Sequence, residues 1–106
     1  FRSLVSSQTI LNTSDSVAFL CELAKTDINI DLMYFDSFDL DWGNPHPSSF
    51  HHMKEFAAIM PRIKPGTLIV VDDNAQGIGK GQYIKDFMDN IGKHVYFNEY
   101  QIGWIW

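Results

Sequence analysis

Residues 67–73 read TLIVVDD, and this stretch decides the fold. The apolar run Leu68–Val71 follows the Pro65-Gly66 turn and stops at two aspartates. So short a run between turn residues reads as a strand buried on both faces. Residues 30–36, IDLMYFD, have the same form and also end in an aspartate. Such strands belong to parallel sheets covered by helices, where ligands sit beyond the carboxyl ends of the strands. Asp36, Asp72 and Asp73 are therefore expected to crown two neighbouring strands and face one site.

The pattern around these strands alternates. Asp15 or Ser14 suits an N-cap, and Val17, Leu20, Cys21 and Ala24 recur at helical spacing, predicting a helix from Asp15 to about Lys25 with Cys21 on its inner face. After the strand 30–36 comes a polar loop, SFDLDWGNPHP. Ser48 or Ser49 is expected to cap the next helix, with Phe50, Met53, Ala57 and Met60 on its buried face and its end near Pro61. A third helix, about Lys80 to Ile91, is expected to bury Tyr83, Phe87 and Ile91 and to stop at Gly92 in a left-handed cap. His94–Phe97 and Tyr100–Trp106 read as a terminal hairpin turning at Asn98-Glu99. Ser3–Thr9 is a weak strand candidate that Ile10–Thr13 would extend. This order predicts an α/β fold: a three-layer Rossmann-like sandwich, mostly parallel, with a C-terminal antiparallel hairpin.

Totals narrow the function classes. A chain of 106 residues is one domain, 1–106, and its 45% hydrophobic and 14% aromatic content supports a packed core. The net charge of −5, without a lysine or arginine cluster, argues against nucleic acid and anionic membranes. One cysteine excludes an internal disulfide and suggests a reducing, cytoplasmic setting. No apolar run reaches the ~18 residues of a spanning helix, and no signal peptide is visible.

The acids carry the first candidate chemistry. Neighbouring strands lie about 4.8 Å apart, so Asp36 and Asp72 would repel unless a cation or a proton intervenes. An all-oxygen set suits magnesium, calcium or manganese. The plainer alternative makes one aspartate a helix cap and leaves the other solvated. Asp39 and Asp41 extend the cluster without matching a calcium loop. Trp42 would either cover a ligand or pin the loop. His46, held extended by Pro47, is a candidate base for the strand-end site, whereas His51 and His52 diverge by about 100° on a helix and do not share a metal easily. Residues 77–81, GIGKG, follow a strand and open a helix, as anion-binding turns do. They fail the phosphate-loop pattern because Gly81 stands where Ser or Thr is required, and so read as a flexible helix start. The tail aromatics Tyr96, Phe97, Trp104 and Trp106 lack interleaved basic residues and read as sheet packing.

Taken together, IDLMYFDS, MPRIKPGTLIVVDD, the helix ending at Gly92 and the terminal hairpin resemble the C-terminal half of class I S-adenosylmethionine-dependent methyltransferases. The nearest group is the small-molecule O-methyltransferase-like proteins. SDSVAFL resembles the segment of that family that meets the adenine. The resemblance implies that Asp15 and Ser16 face the adenine and that Asp36 lies at the methyl-transfer site. It implies a magnesium site at Asp36 and Asp72, with Asp73 where those relatives have asparagine. It implies a small hydroxylated or amine substrate. The family's glycine-rich cofactor loop has no counterpart ahead of Asp15, so the chain reads as a truncated methyltransferase that is inactive alone. Without the family's first strand, the strand 30–36 would expose an apolar edge, and a homodimer or higher oligomer is expected. The alternatives are a non-catalytic α/β binding or assembly domain, and a metal-dependent hydrolase using the aspartates with His46.

Overall fold

A computed structural model describes residues 15–36, 40–75 and 78–106. The expected strand at Ser3–Thr9, its extension through Thr13, and Asp39 lie outside these residues. The described elements are α1 (Ser16–Leu23), β1 (Leu32–Phe35), α2 (His46–Ile59), a 3₁₀ turn (Met60–Arg62), β2 (Leu68–Val71), β3 (Asn74–Ala75), β4 (Ile78–Gly79), α3 (Gln82–Asn90), β5 (Phe97–Asn98) and β6 (Ile102–Ile105).

The main sheet runs β1-β2-β6-β5. β1 and β2 are parallel and pair in register, Leu32 with Leu68 through Phe35 with Val71. The last strand, β6, inserts antiparallel between β2 and β5. The hairpin is therefore antiparallel as expected, though its turn spans Glu99–Gln101 and the strand expected at His94–Phe97 is only Phe97–Asn98. The hydroxyl of buried Thr67 donates to the Ile30 carbonyl at 2.8 Å and helps to hold the β1–β2 register.

One face of the sheet forms the core. Phe35, Ile69, Val71, Ile102 and Trp104 pack against Phe56 of α2 and Ile84 and Met88 of α3, all at most 4% exposed. Leu20 of α1 joins Ile30 and Ile59 beside Met33. All three helices therefore cover the same face. The opposite face carries the row Leu32–Leu68–Ile105, and Leu32, Tyr34 and Ile105 on it are 46–56% exposed. β2 and most of β6 are buried on both sides; β1 is an edge strand with one open face among the described residues. What stands is an α/β domain with a mixed four-stranded sheet; the expected third layer is not found among the described residues. No helix among them is long and apolar enough to cross a membrane.

Several helix faces differ from expectation. In α1 the inward residues are Phe19, Leu20, Leu23 and Ala24, while Cys21 is exposed. In α2 the buried residues are Ser48, Ser49, His52, Glu55, Phe56 and Ile59, and Phe50 points outward. The stripe of Phe56 and Ile59 continues toward the N-terminus through polar residues, which an apolar-periodicity reading cannot follow. Neither serine caps α2, whose first turn holds Pro47 after Pro45. Ser49 instead accepts the Tyr83 backbone N–H at 2.8 Å and caps α3 from the neighbouring helix. In α3 the buried positions are Ile84 and Met88, with Ile91 outside. Gly92 does close α3, at φ +78, and the amides of Gly92 and Lys93 bond back to Asp89 and Met88 as in a Schellman motif.

Candidate functional site

The parallel pairing of β1 and β2 brings their carboxyl ends to one rim. One oxygen from each of Asp36, Asp72 and Asp73 lies within 4.8 Å of the others. The three acids thus stand side by side, as the two strand motifs lead one to expect.

A lysine answers their charge. Lys80 Nζ lies 3.1 Å from Asp36 Oδ1 and 3.0 Å from Asp73 Oδ2, with its side chain 5% exposed. It reaches them through a small hairpin. After β2 the chain takes a left-handed step at Asp73 (φ +54), pairs β3 with β4, and returns so that the Lys80 amide donates to the Asp73 carbonyl. Two glycines make this return possible. A Cβ on Gly79 (φ +132) would lie 2.1 Å from the Asp73 carbonyl oxygen. One on Gly81 would lie 2.9 Å from Ile102 Cγ2 and 3.2 Å from Val71 Cβ. The glycines flanking Lys80 therefore serve close backbone approach, and Gly81 is also the N-cap of α3, so the helix start expected here stands.

The terminal hairpin walls the other side. Tyr100 Oη donates to Asp73 Oδ1 at 2.7 Å, and Gln101 Nε2 donates to Tyr34 Oη at 2.9 Å. Buried Asn74 locks the two hairpins together: Nδ2 donates to Asn98 Oδ1 and the Glu99 carbonyl, and its backbone amide to the Tyr100 carbonyl. The Tyr100 hydrogen bond, more than any other influence, holds the Asp73 carboxyl below its ordinary value, and Lys80 adds to this. Burial alone would lower Lys80, but its bonds to Asp73 and Asp36 outweigh burial and raise it. Desolvation, and after it the neighbouring Asp72 carboxylate, raise the Tyr34 phenol.

A cavity of about 240 Å³ opens beside the rim, between α1, β1 and α2. Ser16, Phe19, Leu20, Phe35, Asp36 and Glu55 are among its walls. It brings Ser16 and Asp36, two of the three expected cofactor contacts, into one space. The third, Asp15, is the N-cap of α1 and accepts the Ala18 amide at 3.0 Å. Ser16 Oγ sits 3.2 Å from His51 Nε2. The same nitrogen lies 3.8 Å from buried Glu55, so this trio does not use both ring nitrogens as a nucleophile–base–acid relay does.

His46, the candidate base, pairs with α3: its Nδ1 lies 2.6 Å from Tyr83 Oη. His52, fully buried, donates from Nδ1 to the Ser48 carbonyl at 2.7 Å, which leaves Nε2 an acceptor with no hydrogen-bond partner among the described residues, 3.9 Å from Glu55 Oε1. Burial pushes its pKa down. The sequence reading gives no site role to Lys80, Tyr100 or Glu55, and sets His52 aside as a metal ligand. The signals available were the two glycines around Lys80 and the polar residues at helical spacing (48, 52, 55) in line with Phe56 and Ile59. Trp42 is exposed, and Asp41 folds onto the Gly43 amide in a local turn.

Comparison of the chain with protein-family models, curated proteins and solved structures returned no match.

Proposed function

We propose that this chain supplies the acceptor side of an S-adenosylmethionine-dependent methyltransferase acting on a small-molecule hydroxyl or amine. The supporting observation is a cavity that joins Ser16, at the start of α1, to Asp36, at the end of β1. In this reading Ser16, Phe19 and Leu20 would hold the adenosyl group, and Asp36 would serve the methyl-transfer end of the same cavity. S-adenosylmethionine supplies a sulfonium-activated methyl group; the protein holds the acceptor in line and excludes water. The open sheet face would take a further helical layer, which completes the three-layer sandwich. Its exposed apolar row favours a second reading as a binding or assembly domain that self-associates through β1.

Amide NMR titration with S-adenosylhomocysteine tests the first reading. Shifts confined to residues 16–20, 33–36 and 51–55, abolished in Ser16→Trp, are expected at up to about 10 mM ligand. Shifts absent from these segments at that concentration would refute it.

A further inference from the structure

We propose that Lys80 is the resident cation of the aspartate rim: its ammonium takes the place of a divalent metal and fixes Asp36 toward the cavity. The metal-free rim stands independently of the methyl-transfer reading; the consequence for Asp36 in catalysis rests on that reading.

The donor set implied for magnesium does not fit what surrounds it. The acid oxygens are close enough to share a cation. Yet both oxygens of Asp73 are engaged, Oδ1 by Tyr100 and Oδ2 by Lys80, and Asp36 Oδ1 is engaged by the same ammonium. Magnesium demands a near-octahedral oxygen shell at about 2.0–2.1 Å. To enter here it would expel an ammonium with a 5% exposed side chain from both of its carboxylate partners. Loss of one partner leaves a buried charge uncompensated, which is strongly unfavourable.

The backbone is arranged to keep Lys80 in place. Left-handed Asp73, the β3–β4 pairing and the close approaches at Gly79 and Gly81 all fix its Cα against the strand ends. One ion pair holds Asp36 Oδ1, so Oδ2 remains for the cavity that Asp36 lines. Lys80 is thus a positioning residue for Asp36. A rim of three carboxylates and one ammonium also keeps net negative charge, which favours a cationic ligand, sulfonium or protonated amine, over an anionic one.

Manganese binding followed by loss of the free-ion EPR signal tests this without any activity assay. The wild-type chain is expected to leave the signal unchanged, whereas Lys80→Met takes up one ion per chain with affinity at least about tenfold higher. Stoichiometric uptake by wild type that Asp36→Asn abolishes would overturn the proposal, as would a folded Lys80→Met with no gain. If Lys80→Met does not fold, the Lys80 ammonium ¹H–¹⁵N signal of wild type decides. Its persistence, unshifted, in about 10 mM magnesium supports the proposal, and its movement to the free-lysine position overturns it.

Discussion

Replacing Gly79 by alanine puts a methyl group where the β3–β4 hairpin leaves no room. The new Cβ would stand 2.1 Å from the Asp73 carbonyl oxygen, at φ +132, a backbone region that side chains rarely adopt. The conformation alone costs about 1–3 kcal/mol. Relieving the contact requires the hairpin to open by roughly 1 Å, which weakens the Lys80 amide bond to Asp73 and the Asn74–Gly79 pairing. At about 1 kcal/mol for each such bond, the total reaches roughly 3–5 kcal/mol. A domain of this size has about 5–15 kcal/mol of stability in all. Gly92→Ala is the internal control, because Gly92 also has positive φ (+78) but nothing lies within 4 Å of its added Cβ. Its cost is the left-handed backbone alone, about 1–2 kcal/mol. Urea unfolding followed by tryptophan fluorescence reports both, since Trp104 is buried in the core. Gly79→Ala should lose at least about 1 kcal/mol more than Gly92→Ala. Equal losses would show that the close approach at Gly79 does not hold the hairpin.

Ser49→Ala removes the cross-helix cap of Tyr83 and should cost about 1 kcal/mol in urea unfolding; no change would deny Ser49 that role. Burial depresses the pKa of His52, so the unfolded chain takes up a proton near pH 6.5 before the native state does. Stability is therefore full above about pH 6.5 and declines as pH falls below it toward the native pKa. A urea midpoint that drops from about pH 7.5 to 5.5 in wild type but less in His52→Phe is the expected outcome. Light scattering at about 50 µM should give a dimer or larger species through the open β1 edge and face, and Leu32→Lys should shift it to monomer; a monodisperse wild-type monomer contradicts self-association.

The strand pair was legible because IDLMYFD and TLIVVDD each combine an unbroken apolar run with a terminal acid. Their parallel register follows from the helix between them, and that register alone assembles the three aspartates. Gly92 was legible because a helix end needs a residue that tolerates positive φ. The inner faces were less so. Ser48, Ser49, His52 and Glu55 occupy buried positions of α2, and their polar character hides them from a search for apolar stripes. Lys80 was hidden for a different reason: in sequence it sits in a glycine-rich turn, and only the β3–β4 hairpin shows that it turns back onto the acids. The open face of β1 was also unreadable, because Leu32 and Tyr34 are as apolar as residues of a covered strand.

The most direct measurement is a crystal structure of the chain soaked with S-adenosylhomocysteine at about 10 mM. The expected result is adenosyl density in the cavity between Ser16 and Asp36, with Lys80 still bridging Asp36 and Asp73. Ligand density that avoids this cavity and lies against another surface would contradict the methyl-transfer account.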